Sequence, residues 1–280
     1  MSEILVFGAG YIGSYLWPLL DAKRTDVRIN TYKDVQAQID FYKPKVIINC
    51  IGHYDGDLDG CEKDIDKTIF SFSTVPLLLV EAAIRNGLKL VHITSGCMFE
   101  YDHKEDSPIT EDMRPTFFDI LYSRAKIYAE ASLDALSNAC DILQLRIAKP
   151  IDWVPHPKNQ LTKMIGYKSV VDIPHSFTYM PDFSLMVRHL LKEDATGIYN
   201  CVNYGSIRYR DILEEYRKYV HTHSYSIMEE SELKLNRTHP ILSSDKLEES
   251  GFQVRDIHDV IEPCVKQYVE ELKKNKQILL

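Results

Sequence analysis

The amino-acid sequence predicts an α/β fold: a Rossmann-type, doubly wound parallel sheet with a smaller C-terminal part that binds the substrate. Three observations lead to this prediction. Short apolar runs alternate with stretches of helical spacing through the first half of the chain, a glycine-rich turn follows the first run, and the rhythm stops after Pro150, where proline-punctuated segments begin. We therefore divide the chain into residues 1–150 and 151–280.

Five apolar runs are predicted to be strands, and two longer segments are predicted to be helices. The strands are expected at residues 4–7, 27–30, 46–49, 88–93 and 142–147, and the helices at 76–85 and 122–136. The first and third runs are apolar at nearly every position, which is typical of central parallel strands buried on both faces. Right-handed crossovers between such strands favour the doubly wound topology.

Composition excludes several classes of function. A chain of 280 residues that is 45% hydrophobic can bury a substantial core, and its net charge of -8 argues against nucleic acid or an anionic membrane as the main partner. Its six cysteines are widely spaced with no CxxC pair, so neither a disulfide framework nor a metal site is predicted. The chain shows no secretory leader pattern and no apolar run of membrane-spanning length, so we expect a cytoplasmic protein.

The glycine-rich turn has the GxGxxG spacing of a dinucleotide-binding site. Gly8, Gly10 and Gly13 follow the first predicted strand and open a helix, with Tyr11 and Ile12 between them. This spacing provides a tight turn, a close approach of the backbone to a pyrophosphate, and close packing of helix on sheet. Pro18 is expected to kink that helix or end it early.

The segment after the second predicted strand bears on the choice of cofactor. Enzymes that select NAD place Asp or Glu here to hold the ribose 2′-hydroxyl, whereas this chain has no acid between residue 30 and Asp34. Arg28 and Lys33 lie nearby and would accommodate a 2′-phosphate. NADP(H) is therefore the predicted cofactor, although the same cations also suit an ordinary solvated surface. Cys50 and Gly52, after the third strand, are expected to line the cofactor through their backbone.

A candidate acid-base group follows along the chain. Tyr122 and Lys126 are four residues apart on a predicted helix, so both side chains project from one face. A nearby ammonium favours ionisation of a phenol and improves it as an acid. The order is informative: the glycine turn comes first, then Ser95 after a buried strand, then Tyr122 and Lys126.

This order resembles the extended branch of the short-chain dehydrogenase/reductase family, which acts on nucleotide sugars. In that family a Ser or Thr, a Tyr and a Lys form the catalytic set, which implies Ser95, Tyr122 and Lys126 here. The stretch Thr-Ser-Gly-Cys-Met-Phe-Glu-Tyr-Asp at 94–102 is similar to the 3,5-epimerase/4-reductases of plants and giant viruses that make UDP-L-rhamnose from UDP-4-keto-6-deoxyglucose. Further similar segments lie at 145–146, 150–151, 162–163, 171–174 and 197–200.

The resemblance implies roles for further residues and parts of the chain. Cys97 and Lys163 would exchange the protons at C3 and C5, Ser95 and Arg237 would bind the sugar nucleotide, and Asn159 is a further substrate-binding candidate. Residues 1–150 would bind NADP(H), residues 151–280 mainly the UDP-sugar, and two chains would form a homodimer. The chain departs from the family pattern in a shorter connection between residues 100 and 122 and in Phe72, which stands where the family has Asn.

Two other interpretations remain open at this point. One is a single-function reductase of dTDP-4-ketorhamnose, a branch in which Tyr commonly stands at the place of Cys97. The other is a non-catalytic NADP-binding regulatory subunit, which the fold alone does not exclude. His53 and His92 have no partner pattern and are interpreted as loop or core histidines, and Cys97 without the resemblance would be a packing residue.

Overall fold

A six-stranded parallel sheet organises the molecule. The computed structural model describes residues 3–53 and 58–275. The sheet has the strand order β2-β1-β3-β4-β5-β9. Its strands are β1 (Ile4–Phe7), β2 (Lys23–Thr25), β3 (Val46–Asn49), β4 (Lys89–Ser95), β5 (Ile142–Ile147) and β9 (Gly197–Asn200). The Rossmann-type, doubly wound sheet expected from the sequence is therefore confirmed.

Helices cover both faces of this sheet. They are α1 (Tyr11–Leu19), α2 (Tyr32–Tyr42), α3 (Leu58–Lys63), α4 (Ile65–Ile69), α5 (Val75–Asn86), α6 (Leu121–Ala135) and α8 (Met180–Lys192). Successive residues of a strand point to opposite faces, so Val6 packs in the core beneath α1 and α8, while Leu5 and Phe7 pack in the core beneath α2 and α5. This double burial accounts for the unbroken apolar runs in the sequence.

The predicted second strand is misplaced. The sequence places it at 27–30, whereas β2 ends at Thr25 and residues 27–30 form a connection to α2. β2 has only three residues, of which Lys23 and Arg24 are exposed. An edge strand of this kind has no apolar run to reveal it, because one of its sides faces solvent. The predicted break at Pro18 is confirmed, since α1 ends one residue later at Leu19.

The C-terminal part of the chain contributes to both halves of the molecule. Its elements are β6 (Pro150–Ile151), α7 (Gln160–Ile165), β7 (Ser169–Val171), β8 (Thr178–Tyr179), α9 (Tyr209–Arg217), β10 (Ser226–Met228), α10 (Asp245–Glu249) and α11 (Ile257–Lys274). Most of them surround a separate core in which α7, α9 and α11 pack together. However, α8 packs against α1, and β9 pairs with β5 as the sixth strand of the main sheet. Two elements that follow Pro150, α8 and β9, therefore belong to the main sheet and its helix layer.

One long apolar helix lies beside the cleft. α4 and α5 are joined by a π-helical turn, Phe70–Thr74, into a continuous helix over Ile65–Asn86 with a mean hydropathy of 1.4. By length and composition alone it could cross a membrane, which the sequence analysis did not anticipate. In this fold Val75, Leu79 and Ala83 are buried in the core against the sheet, which accounts for its apolar character.

Candidate active site

The glycine turn brings the backbone of α1 close to the end of β3. Gly8 has a φ of +102°, a conformation that favours glycine, and a Cβ there would lie 2.9 Å from the carbonyl carbon and oxygen of Cys50. A Cβ on Gly13 would lie 2.0 Å from the carbonyl oxygen of Gly8. Close packing therefore requires both glycines, Gly8 against the backbone that follows β3 and Gly13 within the turn.

Gly10 has a different role, because a Cβ there would meet no atom within 4 Å. It is the N-cap of α1, and with Gly8, Tyr11 and Ile12 it lines the large cleft of the molecule. Unobstructed backbone N–H groups at a helix N-terminus suit a pyrophosphate. Cys50 and Gly52 line the same wall, and burial raises the pKa of the Cys50 thiol to about 12, so this thiol is protonated. These residues fit a bound dinucleotide.

The segment after β2 forms the far end of this wall. Asp26 follows the strand directly and lines the cleft, so the sequence-based reason for expecting NADP(H), the lack of an acid after the second strand, is wrong. Arg28 and Asn30 line the cleft as well, whereas Lys33 does not. Asp34 accepts hydrogen bonds from the backbone N–H of residue 30, at 2.9 Å, and of residue 31, at 2.8 Å, and so caps α2.

Ser95, Tyr122 and Lys126 all line the cleft. Ser95 ends β4, and its hydroxyl hydrogen-bonds with the phenol of Tyr122 from α6. Lys126, one turn further along α6, is buried and donates a hydrogen bond of 2.9 Å to the carbonyl oxygen of Ile93. The structure thus brings together the three residues that the sequence singles out.

Burial controls the ionisation of this group. It raises the pKa of Tyr122 above its usual value of 10, so the phenol holds its proton. Burial also lowers the pKa of Lys126 to about 8, against the opposing charge of Glu130. Phe72, from the π-helical turn, contributes to this apolar environment: its ring centroid lies 5.1 Å from that of Tyr122 and 4.9 Å from the ammonium of Lys126.

A buried ion pair holds α6 against the sheet. Glu130, one turn beyond Lys126, accepts hydrogen bonds from Nε and Nη2 of Arg146 on β5, at 3.0 and 2.6 Å. Both side chains are almost completely buried, and bidentate pairing fixes their geometry. α6 therefore presents Tyr122 and Lys126 from a firmly placed backbone.

Cys97 lies beside this group and lines the same cleft. Its backbone N–H donates to the hydroxyl oxygen of Ser95 at 3.1 Å, and its carbonyl oxygen accepts a 2.6 Å hydrogen bond from Ser123. The side chain is partly exposed and lines the cleft, so Cys97 is not a fully buried packing residue. Lys163, from α7, lines the same cleft.

The C-terminal part adds cationic and aromatic side chains to this region. Arg237 lines the cleft and pairs with Asp59 at 2.7 Å, while its Nη1 atom is buried and makes no hydrogen bond to the residues that the structure describes. Lys149, Tyr209 and His239 also line the cleft. Burial and, to a smaller extent, the charge of Lys149 lower the pKa of His239 to about 3, so its imidazole is neutral.

Asn159 does not line the cleft, contrary to the expectation that it binds substrate. Its side chain is fully buried, and its oxygen accepts from the backbone N–H of Leu161 and of Asp152 at 2.9 and 3.2 Å. Its Nδ2 donates to the carbonyl oxygens of Asp152 and Val154. Its hydrogen bonds cap α7, which carries Lys163, and tie the start of that helix to residues 152–154, which indicates a structural role.

His92 and His53 lie in different environments, the first in the core and the second at the cleft. His92 is buried, its Nδ1 lies 3.1 Å from the amide nitrogen of Asn49, and burial lowers its pKa well below 6.5. It is thus a core histidine. His53 lines the cleft and lies 3.5 Å from a carboxylate oxygen of Asp64.

Taken together, these walls enclose a cleft of about 1340 Å³, large enough for two extended ligands. Sequence reasoning missed Lys149, Tyr209 and His239. Lys149 could have been found from the rule that ligands bind at the carboxyl ends of parallel strands, because it lies two residues beyond β5. Tyr209 and His239 belong to segments with no such marker.

Residues 4–165 match the model of the NAD dependent epimerase/dehydratase family, which is more than half of the chain. The chain belongs to this family. Among relatives, it is 32% identical over 230 residues to the bifunctional dTDP-4-dehydrorhamnose 3,5-epimerase/dTDP-4-dehydrorhamnose reductase of Arabidopsis thaliana, covering 78% of this chain and 75% of that protein.

Solved structures of nucleotide-sugar enzymes share the fold of this family member. The L780 UDP-rhamnose synthase from Acanthamoeba polyphaga mimivirus superposes with a TM-score of 0.87 and 23% identity, over 95% of this chain and 100% of that chain. The dTDP-4-dehydrorhamnose reductase from Bacillus anthracis, in complex with NADP, superposes with a TM-score of 0.81 and 20% identity, over 97% and 99% of the two chains. At these identities the superpositions establish the fold.

Proposed function

We propose that this protein converts UDP-4-keto-6-deoxy-D-glucose to UDP-L-rhamnose by inverting C3 and C5 and reducing C4 in one cleft. The observation that carries the proposal is the position of Cys97. Its backbone is hydrogen-bonded to Ser95, within the group that also contains Tyr122 and Lys126. A reductase alone needs no partly exposed thiol at that point, whereas an epimerase needs a base there. The plant epimerase/reductase and the viral UDP-rhamnose synthase support the same assignment.

In this proposal, the reduction of C4 is carried out by Ser95 on β4 together with Tyr122 and Lys126 on α6. When bound, NADPH supplies the hydride to C4. The protonated phenol of Tyr122 gives its proton to the C4 oxygen as negative charge develops there, and the hydroxyl of Ser95 hydrogen-bonds to the same oxygen. The ammonium of Lys126, held by Ile93, stabilises the phenolate that Tyr122 becomes.

In this proposal, Cys97 and Lys163 carry out the inversion of C3 and C5. The protons on C3 and C5 flank the C4 ketone, so their removal leaves an enolate whose charge lies on the oxygen near Tyr122 and Ser95. The thiolate of Cys97 takes the proton from one face, which breaks the C–H bond and forms S–H. The ammonium of Lys163 returns a proton on the other face. Solvent in the open cleft then restores both groups to their starting states.

We assign the two parts of the chain to the two ligands. Residues 1–150 would hold NADP(H) through the glycine turn and Arg28, and residues 151–280 would mainly hold the sugar nucleotide, with Arg237 on its diphosphate. The six cysteines all lie within the described residues and form no disulfide, which supports a reducing, cytoplasmic location. Exposed apolar residues on α5 and α6, including Leu77 and Tyr128, support a homodimer through these helices.

The proposal is tested by identifying the product. The purified protein is incubated with NADPH and either UDP- or dTDP-4-keto-6-deoxyglucose, and the sugar is characterised by NMR. We expect the L-rhamnose configuration, with the UDP substrate preferred. A 4-reduced sugar that keeps the starting configuration at C3 and C5 would point to a single-function reductase, and the lack of any turnover to a regulatory subunit.

A further inference from the structure

The helix that carries Tyr122, α6, begins without a cap of its own. Its N-cap, Ile120, has an aliphatic side chain and makes no side-chain hydrogen bond to the first turn. The first four N–H groups of a helix have no partner within the helix, and an end that is not capped is less stable. Tyr122 is the second residue of α6, so it lies in this first turn. The phenol used in the proposed mechanism therefore depends on an anchor from outside the helix.

Glu62, the fifth residue of α3, supplies such an anchor. Its Oε1 atom accepts a hydrogen bond of 2.6 Å from the backbone N–H of Leu121 and one of 3.3 Å from the backbone N–H of Tyr122. The side chain is half-buried between the two helices. A carboxyl oxygen at this place also interacts favourably with the positive end of the helix dipole. Glu62 thus caps α6 from a distant part of the chain.

The helix that carries Glu62 has anchors of its own. Asp59, one turn earlier on α3, pairs with Arg237 at 2.7 Å. The hydroxyl of Thr68, a fully buried residue, donates a hydrogen bond of 2.8 Å to the carbonyl oxygen of Cys61, which directly precedes Glu62. The capping oxygen therefore comes from a backbone that is itself held in place.

The later part of α6 is held by other contacts. The buried pair of Glu130 with Arg146 fixes its third turn against the sheet, and the hydroxyl of Ser123 donates to the carbonyl oxygen of Cys97 at 2.6 Å. Loss of the cap would free the first two N–H groups of the helix and leave these contacts in place. Its effect should therefore be confined to the position of Tyr122.

We propose that Glu62 is a positioning residue for the reduction. Through its two hydrogen bonds to the start of α6, it holds the phenol of Tyr122 against the hydroxyl of Ser95 and the C4 oxygen of the substrate. Glu62 does not line the cleft, so it acts through Tyr122 and transfers no proton. The inference rests on the proposed function, because that function makes Tyr122 the acid. A small displacement of such a group lowers the rate strongly.

Two variants of Glu62 separate its hydrogen bonds from its bulk. Glu62→Leu removes both oxygens at similar size, whereas Glu62→Gln keeps an oxygen that can accept from the same N–H groups. Glu249→Leu, at an exposed glutamate that ends α10, is the matched control. For each protein, NADPH oxidation with UDP-4-keto-6-deoxyglucose gives kcat and KM. Hydrogen–deuterium exchange, resolved to single residues by fragmentation in the mass spectrometer, reports on the amides of residues 121 and 122.

We expect Glu62→Leu to lower kcat on the order of tenfold and to leave KM for NADPH within about twofold, because the acid is displaced and the glycine turn is untouched. The amides of residues 121 and 122 should exchange about tenfold faster in this variant, since they lose their acceptor. Glu62→Gln should restore most of kcat and the slow exchange, and Glu249→Leu should match the unaltered protein in every measurement.

Three results would overturn the inference. They are an unchanged kcat in Glu62→Leu, equal losses of kcat in Glu62→Leu and Glu62→Gln, and exchange of both amides in the unaltered protein at the rate of an unstructured peptide. The third result needs no variant and no turnover, so it applies even where Glu62→Leu does not fold. The proposed function is decided separately by the NMR product, and a protein that turned over no sugar would still show by amide exchange whether Glu62 caps α6.

Discussion

In the proposed mechanism, the reduction depends on Tyr122. Its phenol is protonated, contacts Ser95 and lies one helical turn from the ammonium of Lys126. We expect Tyr122→Phe to lower kcat for C4 reduction by about 100-fold or more, in line with the loss of a positioned general acid. NADPH affinity, measured by fluorescence titration, should remain unchanged, since the glycine turn is untouched. Reduction at the original rate in this variant would remove Tyr122 from the mechanism.

We expect Arg28 and Asp26, which both line the cleft, to set the choice between the two nicotinamide cofactors. A 2′-phosphate would pair with the guanidinium of Arg28, whereas the carboxylate of Asp26 favours a 2′-hydroxyl. We expect NADPH to be preferred, and Arg28→Ala to lower the ratio of kcat/KM for NADPH over NADH on the order of tenfold, which corresponds to one charge-assisted hydrogen bond.

Asp26→Asn is the converse variant and should raise the same ratio. If Arg28→Ala lowers kcat/KM for NADPH and for NADH by the same factor, Arg28 does not distinguish the 2′-phosphate from the 2′-hydroxyl. A clear NADH preference in the unaltered protein would contradict the assignment of NADP(H).

At the scale of single elements, Asp152 joins the sheet to the C-terminal part. This buried carboxylate follows β6, accepts a hydrogen bond from the hydroxyl of Tyr15 on α1, and accepts another from the backbone N–H of Trp153 at 2.7 Å. Burial raises the pKa of Asp152 to about 6, against the opposing effect of these hydrogen bonds. The folded chain therefore favours the protonated acid.

The sign of the resulting pH dependence follows from this raised pKa. The contribution of Asp152 to stability is fully present below its unfolded pKa of about 3.9 and is lost as pH rises through 6. Relative to Asp152→Asn, which does not titrate, the unaltered protein should lose up to about 3 kcal/mol of unfolding free energy between pH 4 and 8. Urea unfolding of both proteins at these two pH values measures the change, and a constant difference would contradict it.

Some elements could be predicted from the sequence because the way they pack requires a recognisable local pattern of apolar residues. β1, β3 and β5 were located at their observed bounds, since burial on both faces requires an unbroken apolar run. β2 has no such apolar run, because its exposed edge residues are cationic. β9 was missed because it joins the sheet from more than 40 residues beyond β5, and such pairing is not visible in local periodicity.

The site residues also divide into those that the sequence could predict and those that it could not. Ser95, Tyr122 and Lys126 could be found because they stand at fixed distances along a strand end and one helix face. Lys149, Arg237 and Tyr209 meet only in the folded chain, since they come from three distant segments: the turn after β5, the start of α9 and the connection before α10. Asn159 is the opposite case, because the sequence suggests a substrate-binding side chain and the structure shows a helix cap. An amide that can hydrogen-bond to a sugar hydroxyl can equally cap a helix, and only its contacts in the folded chain distinguish the two roles.

At the scale of the whole molecule, the outer faces of α5 and α6 are the proposed dimer surface. Tyr128 on α6 is 61% exposed, and its ring centroid lies 6.3 Å from that of Phe118, which is also exposed. We expect Tyr128→Glu to weaken the dimer, because it would bury a carboxylate in the interface. Phe41→Glu on α2 is the matched control, since Phe41 is 77% exposed and lies on another helix. Light scattering after size-exclusion chromatography measures the mass, and a dimer in both variants would contradict this surface.

We propose that one cleft carries two separable chemistries, proton exchange through Cys97 and hydride transfer beside Tyr122. The most direct measurement is NMR of UDP-4-keto-6-deoxyglucose incubated with the protein in D2O without NADPH. We expect the unaltered protein to introduce deuterium at C3 and C5, Cys97→Ala to introduce none while still binding NADPH, and Lys163→Ala to exchange while forming little inverted sugar. Deuterium uptake by Cys97→Ala at the rate of the unaltered protein would contradict the account, and Cys97 would return to a packing role.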